Sequence, residues 1–319
     1  MATRKVLVIV NAARRDAGPS ENILDSIKSK LSSCGIPFQL EVSSSPEDAD
    51  KCFKQLRDGD FTEVWIGGGD GSVNQAIHYL ISAPWALGII PMGTINALAR
   101  ALDIPTDPID AVDYLCNAKA VPMDAGQIED RFFACYATVG LHAAIFHNIN
   151  NALKKRWGKL AFYESAIRTL WHKSQLPKFT LTFDSLGNHG QSSNPPRRVS
   201  ETGYSFILTN VANYAGFGIL LEDRKPFCSG YFELHHFRKN LLKPMIKWFA
   251  RLKFWNRKSS NSADGMVLHR LAECFVRSKR KLSVQIDGEP VFLKDSRTLH
   301  FKCIKGGLNI LLRPTVTSE

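Results

Sequence analysis

Val64 to Arg100 reads VWIGGGDGSVNQAIHYLISAPWALGIIPMGTINALAR, and in it two short apolar runs each stop at a glycine-bearing turn. Val64-Trp65-Ile66 predicts a buried strand. Gly67-Gly68-Gly69-Asp70-Gly71-Ser72 is a turn almost without side chains. From Val73 to Ile81 the apolar residues Val73, Ala76, Ile77, Leu80 and Ile81 recur at helical spacing, so the turn opens a helix. Glycines let the main chain approach a phosphate, and the unpaired N–H groups of a first helical turn point at the anion. Asp70 inside that positive collar repels phosphate unless a cation lies between them, which points to Mg²⁺. A glycine-rich strand-to-helix turn can also be no more than a tight turn. The second half of the stretch weighs against that. Trp85 to Ile90 is another strand, and Pro91-Met92-Gly93-Thr94 turns it into a helix over Ile95 to Leu102 that carries Asn96 and Arg100. Two anion-ready turns at the ends of successive strands, beside a hydroxyl, an amide and a guanidinium, make a nucleotide-sized constellation.

Two common nucleotide fingerprints fail here. The dinucleotide pattern wants glycine or alanine where Ser72 stands, and an acid where Ile89-Ile90-Pro91 lie. A Walker A loop ends in Gly-Lys-Ser/Thr, and no lysine is present. What does match is GGDG followed by Ser72, then a separate P-x-G-T-x-N from Pro91 to Asn96. This pair resembles the catalytic domain of the diacylglycerol kinase superfamily, especially the soluble bacterial lipid kinases, whose sphingosine and ceramide kinase relatives share it. NAD kinases and phosphofructokinases carry a similar GGDG turn, but PMGTINALARALDIP is similar to the lipid kinases.

Working outward, KVLVIV (Lys5 to Val10) is a continuous apolar strand of the kind buried in a parallel sheet. It ends at Asn11. A helix follows over about Ser20 to Cys34, then a strand Phe38 to Val42, and the turn Ser43-Ser44-Ser45-Pro46 caps a helix from Glu47 to Gly59. Strands alternating with helices predict a parallel sheet covered on both sides, with ligands beyond the C-terminal strand ends. Asn11, Ser43, Asp70 and Thr94 all fall at such ends. A helix Ile109 to Asn117 and a short strand Val121 to Gly126 carrying Asp124 complete this half. An Asp before a small residue is usually a turn-former.

From Arg131-Phe132-Phe133 onward the grammar changes. Lys178 to Phe183, Tyr204 to Thr209, Tyr231 to Phe237, Lys281 to Ile286 and Thr298 to Cys303 read as strands without regular helices between them, which predicts an antiparallel β-sandwich with insertions. Asp184 to Glu201, rich in Gly, Asn, Ser and Pro, reads as a flexible hairpin loop. The fold class expected is therefore α/β plus β: a nucleotide-binding parallel-sheet domain over 1–128, then a β-sandwich lipid-substrate domain over 129–303. Residues 304–319, with the strand Leu308 to Leu312, are expected to return to the first domain, as in the family.

The chain of 319 residues has a formal charge of +11, so an anionic partner is expected, whether nucleic acid, ATP or acidic lipid. Val6 to Val10 is too short for a signal-peptide core, and no apolar run approaches the eighteen or so residues of a spanning helix. A cytoplasmic protein is expected. Its seven cysteines show no paired spacing, which fits free thiols. Leu241 to Lys258 places Leu241, Met245, Trp248, Phe249, Leu252 and Trp255 on one helical face, opposite Lys243, Lys247, Arg251, Arg257 and Lys258. That pattern suits an interfacial helix on anionic lipid, or a helix packed on the sandwich with a solvated basic face. No base-reading motif accompanies the charge, so nucleic acid is not expected. A homodimer is left open.

The resemblance implies ATP and Mg²⁺ and an ATP-dependent lipid kinase, with diacylglycerol foremost and sphingoid or other lipids as alternatives. It assigns nucleotide contacts to Asn11, Ser43, Gly68, Gly69, Asp70, Gly71, Ser72, Asn74, Thr94, Asn96 and Arg100. Asp70, Asp124 and Glu289 are implied as metal ligands. Gln285-Ile286-Asp287-Gly288-Glu289-Pro290 by itself is a hairpin turn, but the family has Asp-Gly-Glu at this point. The implied catalytic acids are Glu289 as proton acceptor, with Asp70 and Asp287, across one cleft from the glycine turns. Departures from the family pattern are Ala12 for a proline in a longer loop holding Arg14, Arg15 and Gly18, Gln75 for Glu, Ala97 for Asp and Ser229 for Asp. The last two losses suggest that the family's structural Mg²⁺ is absent or weakened. A kinase of a soluble alcohol such as NAD or a sugar phosphate, and a non-catalytic nucleotide-binding membrane adaptor, are the alternatives. The expected location is cytoplasmic, transiently peripheral on the inner membrane surface.

Overall fold

The computed structural model describes residues 4–12, 21–147, 177–188, 191–211, 213–214, 219–220, 227–237 and 266–313. Arg14, Arg15, Gly18 and the basic segment 241–258 lie outside them. The chain divides into two compact units, Met1–Ala125 with Lys305–Glu319, and Gly126–Ile304.

The first unit runs β1 (Val6–Asn11), α1 (Glu21–Ser33), β2 (Phe38–Ser43), α2 (Pro46–Asp58), β3 (Glu63–Gly68), α3 (Asp70–Leu80), β4 (Ala86–Pro91), α4 (Ala97–Ala101), α5 (Pro108–Cys116) and β5 (Lys119–Ile128). The sheet order is β2-β1-β3-β4, followed by the strand Thr298–Leu312. The pairings along this order are parallel, down to Asn309 and Ile310 against Ala86 and Leu87. The apolar runs explain this burial. Val6, Val8, Val10, Trp65 and Ile90 pack with Ile27 and Leu31 of α1 and Val112 and Leu115 of α5. The alternate residues Leu7, Ile9, Val64, Ile66, Leu87 and Ile89 face the other way and are buried too. At the N-terminal end of β3, Arg4 grips Glu63 with two N–H···O bonds of 2.6 and 2.9 Å, and Trp65 Nε1 donates to the same carboxylate at 2.9 Å. A buried carboxylate is thus fully engaged at the sheet end away from the glycine turns.

Three boundaries differ from the sequence reading. Gly67 and Gly68 continue β3, because they keep their register with Val10, Ile90 and Pro91, so α3 opens at Asp70. The helix expected from Ile95 shrinks to Ala97–Ala101, because Asn96 holds a left-handed φ of 52°. The strands expected at Thr298 to Cys303 and Leu308 to Leu312 are one continuous strand.

The second unit holds two antiparallel sheets. In one, Glu273–Ser278 lies between Thr298–Lys302 and Phe179–Asn188, which pairs in turn with Gln191–Gly203. In the other the order is Met266–Leu271, Phe232–Phe237, Ser205–Thr209, Tyr136–Gly140, Val284–Ile286 and Glu289–Val291. Phe179, Leu181, Phe183 and Phe301 of the first sheet share a core with Phe206, Leu208, Phe232 and Val284 of the second, so the expected sandwich is present. The loop expected over Asp184 to Glu201 is instead the continuation of two paired strands, with an irregularity between Ser185 and Gly187. Pro195 and Pro196 misled that reading. They lie in the last strand of the sheet order, in the irregular stretch between the Gly187–Ser192 and Ser185–Arg197 pairs.

Two buried histidines make this unit acid-sensitive. Burial alone pushes His142 and His235 down from 6.5 to about 4. Between those values the unfolded chain takes up protons that the folded chain refuses, so stability is full above about pH 6.5 and is lost as pH falls toward 4. The urea midpoint is expected to fall steadily across that window; a midpoint flat from pH 6.5 to 4 would contradict it.

Candidate functional site

Residues at the C-terminal ends of β1 to β4 converge through short contacts. Asn11, the last residue of β1, donates from Nδ2 to Ser72 Oγ in the first turn of α3 at 2.8 Å. It pairs with Ser43 at the end of β2, and Ala12 N donates to Ser43 O at 2.8 Å. The Ser43 hydroxyl is 1% exposed and has no hydrogen-bond partner. A buried donor left unmade costs about 1–3 kcal/mol.

The turns after β3 and β4 are locked together. Asp70 Oδ2 accepts from Asn96 N at 3.1 Å, and Oδ1 from Ala97 N at 2.6 Å. Asn96 in turn closes its own turn, accepting from Gly93 N at 2.9 Å and donating to Gly93 O at 3.0 Å. Gly69 and Gly93 touch backbone to backbone, and a Cβ on Gly93 would lie 2.6 Å from Gly69 Cα. That approach requires glycine at position 93, whereas a Cβ on Gly69 would lie a tight 3.2 Å from Gly93 Cα. Gly71 and Thr94 are exposed at these turns, and a Cβ on Gly71 would meet open space. Arg100 is exposed, with its Nε on Ile95 O at 2.8 Å. Gly68 is buried with Ser72 packed over it, and Asn74 is half-buried on α3.

The remaining predicted acids sit differently. Asp124 is fully buried, and its Oδ1 accepts from Gly306 N at 3.0 Å. In the second unit, Asp287 and Gly288 have φ of 46° and 91°, which makes the tight hairpin turn that an Asp-Gly pair favours. The Asp287 carboxylate accepts from Ala134 N at 2.7 Å, Cys135 N at 2.8 Å and Tyr136 N at 2.9 Å. Glu289 follows, exposed, at the start of its strand. Asn210 was not legible as part of this assembly. It is buried, and its side chain donates to Ala134 O at 2.8 Å, holding from behind the peptide segment that Asp287 holds from the front. The only sequence signal was a polar residue directly after a strand of apolar character.

Among the described residues no three His, Cys, Asp or Glu side chains form a metal-ligating group. The positions that depart from the family pattern carry other bonds. Gln75 donates to Pro46 O at 2.9 Å and to Asp50 Oδ1 at 2.8 Å, and Ser229 Oγ lies 3.4 Å from Tyr231 O.

The model of the diacylglycerol kinase catalytic domain family matches residues 5–128. A diacylglycerol kinase of Bacillus subtilis is 31% identical over 272 residues, covering 83% of this chain and 84% of that protein. The chain belongs to the diacylglycerol kinase family. That membership makes it a phosphotransferase of the kinase type with an alcohol as acceptor. A diacylglycerol kinase of Staphylococcus carnosus is 27% identical over 217 residues, 67% of this chain and 66% of that protein. The fold agrees with a crystal structure of a diacylglycerol kinase from Bacillus anthracis, with a TM-score of 0.73 at 17% identity over 99% of this chain and 100% of that one. No helix among the described residues is long and apolar enough to cross a membrane.

The Asp287 anchor gives a direct test. Asp287→Ala orphans three buried N–H groups at about 1–3 kcal/mol each, so equilibrium unfolding is expected to show a loss of at least about 3 kcal/mol. A loss under about 1 kcal/mol would show that the carboxylate does not hold this segment.

Proposed function

We propose that this protein is an ATP-dependent lipid kinase that moves the γ-phosphate to a lipid hydroxyl, with diacylglycerol as acceptor. The observation that carries the reading is the junction of the two glycine turns, with the unpartnered Ser43 hydroxyl buried beside Asn11. Ordered N–H groups and a waiting hydroxyl fit a polyphosphate better than they fit a tight turn made for packing alone. Asn11, Ser43, Ser72, Asn74 and Thr94 would bind the nucleotide together with the backbone of Gly68, Gly69 and Gly71. Asn96 and Arg100 flank its phosphates. All of these but Arg100 are small polar groups or bare backbone, which suits recognition of phosphate oxygens by many short bonds.

The reaction asks for three things: an acceptor for the hydroxyl proton, an in-line oxygen, and cationic compensation on the transferring group. The lipid oxygen forms a bond to the γ-phosphorus as the bond to the β-phosphate oxygen breaks and ADP leaves, and the hydroxyl proton passes to Glu289. Mg²⁺, when bound, would neutralise charge on the phosphoryl oxygens, with Asp70 and Glu289 as carboxylates of the right hardness. Asp124, buried against Gly306, rests on the family resemblance for its part in that set. Asp287 is a positioning residue, since all its described bonds go to the backbone that supports the hairpin of Glu289. The cationic segment 241–258 supplies a membrane contact in this reading.

The test is turnover with Mg²⁺ and γ-labelled ATP on diacylglycerol, sphingoid base, ceramide, polyprenol, NAD and sugar phosphates. Phosphorylated diacylglycerol is expected, and label on none of the lipids would reject the reading. Glu289→Gln is expected to lower kcat by at least a hundredfold with ATP affinity nearly intact. Unaltered turnover would remove Glu289 as the proton acceptor.

A further inference from the structure

All seven cysteines are free thiols, as their spacing implies, but two of them meet. Cys34 follows the last residue of α1, and its N–H still closes a helical bond to Lys30 O at 3.1 Å. Cys116 is the last residue of α5. The two helices cover one face of the sheet, where Ile27 and Leu31 of α1 share a core with Val112 and Leu115 of α5, and Cys116 packs against it. One turn earlier the helices are joined at the surface by Lys30 and Asp113, Nζ to Oδ1 at 2.7 Å. Positions three or four apart share a helical face, so Lys30 leads to Cys34 and Asp113 leads to Cys116 along one seam. The side chains agree with that register. The Cys116 thiol is pushed up to about 12, first by partial burial and then by a hydrogen bond with the Cys34 thiol. Lys30 is raised by its bond to Asp113 and further by the charge of both sulfurs.

Both backbones are fixed. Gly35, at a φ of 65°, stops α1 in the left-handed conformation, with its N–H on Ser32 O and Ile36 N on Leu31 O. Arg4 Nη1 donates to Cys116 O at 2.7 Å. Solvent reaches the two thiols unequally: Cys34 is exposed and Cys116 half-buried, while Cys52, Cys135, Cys274 and Cys303 are buried. Packed helices run about 8–10 Å apart, which brings facing Cα atoms into about the 4.4–6.8 Å range that a disulfide spans. We propose that Cys34 and Cys116 form a reversible oxidation site, closed by a hydroperoxide into a disulfide between α1 and α5. The Cys34 thiolate attacks one peroxide oxygen, the O–O bond breaks, and the departing oxygen takes up the proton that Cys34 gave up, leaving as water or an alcohol. Cys34 is then a sulfenic acid. The Cys116 sulfur displaces its hydroxyl, so that the S–S bond forms as the S–O bond breaks, and water leaves with the Cys116 proton. Two electrons pass from the sulfurs to the peroxide, and a thiol reductant returns them. The bond closes a loop of about 80 residues, which favours the folded unit by restricting its unfolded chain. It also keeps the exposed Cys34 from the irreversible step to sulfinic acid. Arg4 bonds both Cys116 O and Glu63, which places the pair at the sheet end away from the glycine turns. The clamp therefore acts on stability and not on the nucleotide site.

The experiment treats the full-length protein with hydrogen peroxide at neutral pH, alkylates the remaining thiols, and reads the peptides by mass spectrometry before and after dithiothreitol. Cys34→Ser and Cys116→Ser are run beside it, each checked for native circular dichroism. In the unaltered protein the peptides of Cys34 and Cys116 are expected to become linked with the loss of two hydrogens, at least about tenfold faster than any buried cysteine is oxidised. Dithiothreitol is expected to separate them. The thermal midpoint is expected to rise by at least about 5 °C on linkage and to fall back on reduction. In Cys34→Ser, Cys116 is expected to stay reduced. In Cys116→Ser, Cys34 is expected to pass to sulfinic acid that dithiothreitol does not recover. Sulfinic acid at Cys34 of the unaltered protein with Cys116 still reduced would overturn the proposal, as would a bond between the Cys34 residues of two molecules. Both thiols left intact at a dose that oxidises free cysteine would overturn it as well.

Discussion

The carboxylate of Asp70 bridges the first turn of one helix and the start of the next, and much of the parallel-sheet unit can be understood from what that bridge requires. Two strand ends must lie side by side, so β3 and β4 are adjacent and in register to their last residues. Two turns must approach to backbone contact, so Gly69 and Gly93 carry no side chains. The N–H groups of Asn96 and Ala97 must point back at Asp70, so Asn96 accepts the left-handed conformation that cuts α4 short. A left-handed Asn costs less than most residues would, because its short side chain bonds locally, here to Gly93 on both sides.

The antiparallel unit uses the same device in another place. Asp287 also spends its carboxylate on backbone N–H groups, and the result is again a fixed turn that presents its neighbour. In both cases an acid that reads as catalytic in sequence is first a clamp on main chain. For Asp70 the clamp and a role beside phosphate are compatible, since a cation-bound carboxylate needs a fixed orientation. For Asp287 the three amides define the role.

The α/β half was legible because its signals are local. Continuous apolar strands such as Val6 to Val10, helical spacing from Val73 to Ile81, and glycines at strand ends each follow from short-range geometry. What sequence could not give were features set by partners far along the chain. Gly67 and Gly68 look like turn residues until their pairing with β1 and β4 keeps them in the strand. Pro195 and Pro196 signal a loop until the irregular stretch of an edge strand takes them in. The second unit's clamp on Asp287 involves residues about 150 positions away, and nothing in the run from Ala134 to Tyr136 announces it. Asn210 was invisible for the same reason. The unpartnered Ser43 hydroxyl could be placed at a strand end from sequence, but its burial without a partner could only be seen in three dimensions.

The most direct test is calorimetric titration of ATP with Mg²⁺ into the unaltered protein and into Gly93→Ala, each checked for native circular dichroism. The account predicts saturable binding by the former. It predicts at least tenfold weaker binding by the latter, because a methyl group 2.6 Å from Gly69 Cα forces the two turns apart. Equal affinity in the two proteins would mean that the joined turns are not where the nucleotide binds.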